Sequence, residues 1–276
     1  MINKKIKTNA AEKFKLRVSV GALVKVLFTN PATGQITLAL ERIATLRKFN
    51  GISRVDVTAK PFGGGVRLTN PKELKRLIKD FQYDSERSRQ ERDFRILIHP
   101  EMWGKIKEMC NEHLHEKRKI IFDNSPYREL TEEFEDSFKI KIKPDEYILI
   151  PKGMVIQDLK IKTNNVRAQG MPTVRIYYIF EAWIKSNELV KLMLTKSRQF
   201  SEDDFKKDAL GDAERGGKGR ANSVLTIGID VLRDFCNSIP LEKRGGNINF
   251  GAHKLEENVL ALFSEVKNLN YNFEFD

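Results

Sequence analysis

Ser125-Pro126-Tyr127-Arg128-Glu129-Leu130-Thr131-Glu132-Glu133-Phe134-Glu135-Asp136 reads as one helix with two unlike faces. At 3.6 residues per turn Glu129, Glu132 and Glu133 stand at i, i+3 and i+4 and share one side, while Tyr127, Leu130 and Phe134 share the other. The helix is expected to dock by its apolar side. Its carboxylates then repel one another by roughly 3 kcal/mol per pair, at about 6 Å and an effective dielectric of about 20. A divalent cation would turn that repulsion into binding, because carboxylate oxygen is the hard donor that Mg²⁺ or Mn²⁺ prefers. The same pattern also suits a solvated acidic face with Lys139, Lys141 and Lys143 as loose counter-charges.

Beyond this helix, the alternation over 138–142 predicts a half-buried strand, and 147–150 and 155–161 read as two strands that could pair. Residues 173–184 form the longest β-like run, with Glu181 its one carboxylate, so that side chain is either paired or a ligand. On the upstream side, 101–116 reads as a helix with Trp103, Ile106, Met109, Cys110 and Leu114 inward. Cys110, His113 and His115 lie at i, i+3 and i+5, which does not put three zinc ligands on one face. Asn70 caps a helix that Pro71 opens, and 94–98 is a short strand after a charged link over 83–93. A hairpin of 16–28 and 35–41 turns on Asn30-Pro31-Ala32-Thr33-Gly34, and 55–59 is a third strand leading to Gly63-Gly64-Gly65. Glycines in a row serve a tight turn or a close backbone approach.

Residues 1–13 read as a polar lead-in. Past 186 the pattern is helical and polar, with a glycine-rich loop over 211–219, helices over 224–235 and 255–266, and an edge strand at 271–275. That loop lacks the Gly-Lys-Ser/Thr order of a P-loop, so a motor ATPase is rejected.

The chain of 276 residues carries a net charge of +11 and a pI near 9.5, which favours polyanions such as nucleotides. A nucleic-acid partner rests on that charge alone, since the basic residues are spread and no RNA-recognition or zinc-finger spacing is present. Cys110 and Cys236 are too few for a disulfide scaffold, no apolar run approaches a membrane span, and the basic start lacks an apolar leader segment. A cytoplasmic protein with no membrane partner is the expectation.

Arg128-Glu129-Leu130-Thr131-Glu132-Glu133, the glycine run at Phe62-Gly63-Gly64-Gly65-Val66 and the hairpin over 20–42 together resemble a Nudix domain. The hexapeptide matches the second half of that family's box residue for residue. Roughly sixty residues separate it from the glycines, so the box would be split by an insertion over about 70–123. The box's first glutamate has only Glu73 as a loose counterpart, and its closing x-Gly-U reads Phe134-Glu135-Asp136.

The resemblance covers about 14–185 and implies an α/β fold: an α/β/α sandwich around a mixed sheet, with a helical insertion and a mostly helical C-terminal extension over 186–276. It implies a Mg²⁺- or Mn²⁺-dependent hydrolase of a nucleoside diphosphate derivative. Glu129, Glu132 and Glu133 would be metal ligands, with Glu181 added from outside the box. Glu129 and Glu133 would be catalytic, and Arg128 would hold the carboxylates in place. The Gly63, Gly64 and Gly65 backbone and Arg42, Arg67 and Arg175 would meet the ligand. The alternative is a nucleotide-binding or regulatory module that has lost hydrolysis, as in branches of the family found beside prokaryotic anti-phage signalling genes. Pairing of two copies is also implied.

Overall fold

The computed structural model describes residues 15–49, 52–114, 121–162, 170–199, 201–240 and 243–267. The lead-in over 1–13, His115 and the strand expected at 271–275 lie outside them. Strands β1 (Leu16–Thr29), β2 (Ile36–Phe49) and β3 (Ile52–Lys60) form a meander, followed by β4 (Phe62–Gly65) and β5 (Arg67–Leu68). Helix α1 (Pro71–Ile78), β6 (Gln82–Tyr83), helix α2 (Glu86–Glu91), β7 (Arg95–Ile98), helix α3 (Trp103–His113) and β8 (Phe122–Asp123) lead to helix α4 (Pro126–Phe138). Then come β9 (Tyr147–Lys162), β10 (Pro172–Ile184), helices α5 (Asn187–Gln199) and α6 (Glu202–Glu214), β11 (Arg220–Gly228), helix α7 (Ile229–Ser238), the hairpin β12 (Ile248–Phe250) and β13 (His253–Leu255), and a 3₁₀ segment, Glu257–Phe263.

The fold is mixed α/β around one large mixed sheet, and β1 is its axis. One edge of β1 pairs in parallel with β10 from Arg17↔Thr173 to Leu27↔Trp183. The other edge changes partner three times: β2 along Val26 to Thr29, β4 along Gly21 to Val24, and β7 along Leu16 to Ser19. Between β2 and β4 the sheet therefore forks, and a cleft opens in the fork. Apolar residues cover both faces. Val18, Val20, Phe62, Leu130 and Phe134 belong to one core, and Leu23, Tyr177, Ile179 and Val259 to the other.

Local chemistry sets the helix ends. Asn70 accepts from the Glu73 amide at the start of α1, and Ser125 accepts from the Arg128 amide at the start of α4. Pro71 and Pro126 occupy first-turn positions where no amide is needed. Lys139 ends α4 in the left-handed conformation, φ 62°, and donates to the Glu135 carbonyl.

Several expectations are corrected here. Phe138 closes α4 and 139–143 is irregular, so no strand runs over 138–142; Phe138 and Ile142 are buried from helix end and loop. The two strands expected over 147–161 are one continuous β9, which pairs with β10. Val224 lies in β11, which pairs with β2 from Arg220↔Thr45 to Gly228↔Thr37, and helix begins only at Ile229. The 255–266 helix is a 3₁₀ segment, and the residues after 186 supply strands as well as helices. Tyr127 stands 46% exposed near Tyr147 and is not part of the buried face of α4. No described helix is long and apolar enough to cross a membrane.

The glycine triplet is a strand and not a loop. Gly63 adopts φ +122°, and a Cβ there would fall on the Ala22 carbonyl oxygen. Gly63→Ala is therefore expected to cost about 1–3 kcal/mol of stability, read from urea unfolding midpoints, because strain in this backbone region adds to the clash.

Candidate functional site

Helix α4 is pinned to the glycine strand by aromatic packing. Phe134 lies 5.3 Å from Phe62 and 5.0 Å from Phe138, ring centre to ring centre, and Leu130 is fully buried beside them. With that stripe inward, Glu129 and Glu133 come over β4. Glu133 Oε2 accepts from the Gly63 amide at 2.5 Å. A Cβ at Gly64 would collide with the Glu129 carboxylate, and one at Gly65 would crowd Asp93. The absent side chains thus let acid approach bare backbone.

Lys60, at the end of β3, closes this corner. Its Nζ lies 2.8 Å from Glu133 Oε1 and 2.7 Å from Glu41 Oε2, the latter residue opposite it in register on β2. The other oxygen of Glu41 accepts from Arg220 at 3.2 Å and Asn222 at 3.3 Å, both on β11. Arg128 serves the outer carboxylates, with Nη2 2.6 Å from Glu129 and Nη1 3.4 Å from Glu132.

Burial sets the electrostatics. It pushes Glu133 well above the usual carboxylate range, helped by nearby Glu41 and opposed by Lys60 and the Gly63 amide. Glu129 is also raised, by burial first, against the pull of Arg128. For Lys60 burial alone would lower the ammonium, but Glu133 and Glu41 outweigh it and hold it above its ordinary value.

The cleft has a volume of about 660 Å³ and runs along the open edge of β4. Lys60, Arg67, Arg95, Arg128 and Arg220 stand on its walls together with Glu129, Glu132 and Glu133. Across the glycine strand a second recess of about 310 Å³ shares Lys60, Gly63 to Gly65 and Arg95 with it.

Most of the residues expected at the site converge, and two do not. The glycines, Arg67, Arg128, Glu129, Glu132 and Glu133 meet in the cleft, and Arg175 lines the neighbouring recess, 2.5 Å from Glu257. Glu181 is not a ligand there. It lies opposite Lys25 in the β1/β10 register and stands 3.7 Å from both Lys25 and Lys152, outside the cleft walls. Arg42 points to the other face of β2, 5.3 Å from the Phe205 ring and lining a separate cavity with His253. Sequence reasoning missed Lys60, Glu41, Arg95 and Arg220, which come together only through strand register and tertiary packing.

No family model matches the chain. An acireductone dioxygenase of Neurospora crassa is 31% identical over 94 residues, which cover 32% of this chain and 52% of that protein. The chain thus spans about half the length of the curated relative it matches. These findings overturn the Nudix resemblance: no model of that family matches, and the relative found carries a different enzyme name. The physical reason is that Arg-Glu-Leu-Thr-Glu-Glu is what an N-capped amphipathic helix with one acidic face needs in any fold.

Two outcomes follow from the buried triad. Lys60→Met leaves two carboxylates facing each other without their cation and is expected to cost about 3–5 kcal/mol in urea unfolding. For pH, a raised folded pKa makes Glu133 stabilising below its unfolded value and costs that contribution as pH climbs through the folded one. In chelator, wild-type stability relative to Glu133→Gln should therefore decline between about pH 5 and pH 9; a flat difference across that interval contradicts the raised value.

Proposed function

We propose that the cleft hydrolyses the phosphoanhydride link of a nucleoside diphosphate derivative with the help of Mg²⁺ or Mn²⁺. The reading is supported above all by buried acids and basic side chains gathered on one strip of bare backbone. Lys60, Arg67 and Arg95 would bind phosphate oxygens, the arginines by forked hydrogen bonds. Glu133, whose proton affinity is raised by burial, is suited to take a proton from attacking water near neutral pH. Arg128 orients Glu129 and Glu132.

The donor set decides how a cation would fit. Among the described residues no three His, Cys, Asp or Glu side chains gather as a metal cage, and Glu133 is already held by Lys60. Glu129 and Glu132 suit an ion that brings its own waters and phosphate ligands, as Mg²⁺ commonly does through one or two carboxylates. Such an ion would be held by those two residues, neutralise the diphosphate and polarise water. The facial triad of two histidines and a carboxylate that serves non-haem iron oxygenases has no counterpart on the cleft's described walls, so the relative's dioxygenase name is not carried over.

Glu133→Gln keeps the acceptor for Gly63 and is expected to lower turnover of a nucleoside diphosphate sugar or dinucleotide by at least about 100-fold in Mg²⁺. Turnover unchanged by this substitution defeats the assignment. The second reading, a binding module without hydrolysis, draws on the full pairing of Glu133 with Lys60. It predicts calorimetric binding of the nucleotide with complete recovery of uncleaved ligand after prolonged incubation.

A further inference from the structure

The recess across the glycine strand has a construction of its own. Ser19 on β1 lies opposite Arg95 of β7 on one side and Arg175 of β10 on the other, so the two guanidinium-bearing strands flank a small residue. Two positions along, Gly21 lies opposite Gly65 and Tyr177, and a Cβ on Gly21 would come 3.1 Å from the Gly64 carbonyl and 3.4 Å from the Tyr177 ring. Glycine at 21 thus lets the Gly64 carbonyl and the Tyr177 ring close over β1 at the floor of the recess. Arg17, two residues before Ser19, points to the same face by strand alternation.

Each basic group on the walls has an acid beside it: Asp84 for Arg17, Asp93 for Arg95, Glu257 for Arg175, and Glu41 with Glu133 for Lys60. Arg17, Arg95, Arg175 and Lys60 line the recess against Glu256 and Glu257. Asp84 and Asp93, which pair with Arg17 and Arg95 at 2.8 and 2.7 Å, are not among its walls. They hold the guanidinium groups in place from outside. An independent sign comes from Asn258: its side-chain oxygen is buried and has no hydrogen-bond partner among the described residues, yet the residue lines the same recess. A buried acceptor of that kind calls for a donor.

We propose that this recess binds a sugar phosphate, its phosphate on Arg17, Arg95 and Arg175 and a sugar hydroxyl donating to Asn258. Arginine forks match phosphate oxygens, and a ligand that is both anionic and hydroxylated meets both demands. This rests on the reading of the neighbouring cleft in one respect: the sugar phosphate would be one half of the diphosphate ligand, whose second phosphate crosses the glycine strand to Lys60 and Arg67. Binding of a sugar phosphate in the recess does not require hydrolysis in the cleft.

Calorimetry of the full chain with ribose 5-phosphate and with inorganic phosphate tests it. Ribose 5-phosphate is expected to bind at least tenfold tighter than inorganic phosphate, and Asn258→Leu should abolish that preference. Arg175→Gln alone removes the cation beside Glu257, so the paired change Arg175→Gln with Glu257→Gln is used as well; it should weaken both ligands tenfold or more with the unfolding midpoint retained. Arg175→Lys, which keeps the charge and loses the fork, should weaken ribose 5-phosphate several-fold. Equal binding of the two ligands, or affinity indifferent to the Arg175 variants, overturns the proposal. Ribose 5-phosphate has no anhydride to cleave, so its preferential binding tests the recess alone, whereas failure to turn over a nucleoside diphosphate sugar defeats only the hydrolase reading.

Discussion

The ammonium of Lys60 sits between two carboxylates that come from different parts of the fold, Glu41 on β2 and Glu133 on α4. Removing three charges from water costs several kcal/mol for each ion, and attraction at these distances roughly offsets that cost without leaving a large surplus. The consequence is positional. Glu133 can reach Lys60 only if α4 lies across the end of β3, and that position also puts its carboxylate on the Gly63 amide. Glu41 in turn is fixed by Arg220 and Asn222, so β11, from the last part of the chain, helps to orient a helix in the middle of it.

The same corner explains why the sheet forks. β1 cannot keep pairing with β2 beyond Val26, because β3 ends at Lys60 and the chain turns through Pro61 into β4, which takes over at Val24. Proline has no amide to donate and suits such a break. The residues that follow must lie against β1 and against the acids of α4 at once. Glycine alone satisfies both, since a Cβ at 63 or 64 would meet backbone or carboxylate. The cleft and the recess are the two sides of that one strip.

Legibility in the sequence follows the range of each interaction. The α4 helix, its Ser125 cap and its buried Leu130 and Phe134 could be read because each depends on neighbours within a turn. The close approach of something to the glycines could be anticipated, and Glu129 and Glu133 are what approach. Lys60, Glu41 and Arg220 could not be found, since their pairing spans three separate strands and a helix with no local pattern to mark it. Glu181 failed for the same reason: its partner Lys25 is set by the register of a parallel pair whose strands lie far apart in the chain. Val224 was misread because Val224, Leu225 and Ile227 suit a helix stripe as well as a strand, and pairing with β2 decides the matter. The family resemblance failed because a short run of helix-forming charged residues carries information about a helix face and little about ancestry.

On the proposed reading, a phosphate entering this site would meet opposing charges. Its negative charge is drawn to Lys60, Arg67 and Arg95 but has Glu129 and Glu132 beside it on the cleft wall. On the proposed reading those carboxylates would repel a bare anion and favour one that arrives with a divalent cation. In the recess the arginines are held by Asp84, Asp93 and Glu257, and on the proposed reading a phosphate there would bind through their remaining donors. On the proposed reading the two phosphates of one diphosphate therefore experience different surroundings: one is neutralised by fixed guanidinium groups, the other by an ion that Glu129 and Glu132 would share.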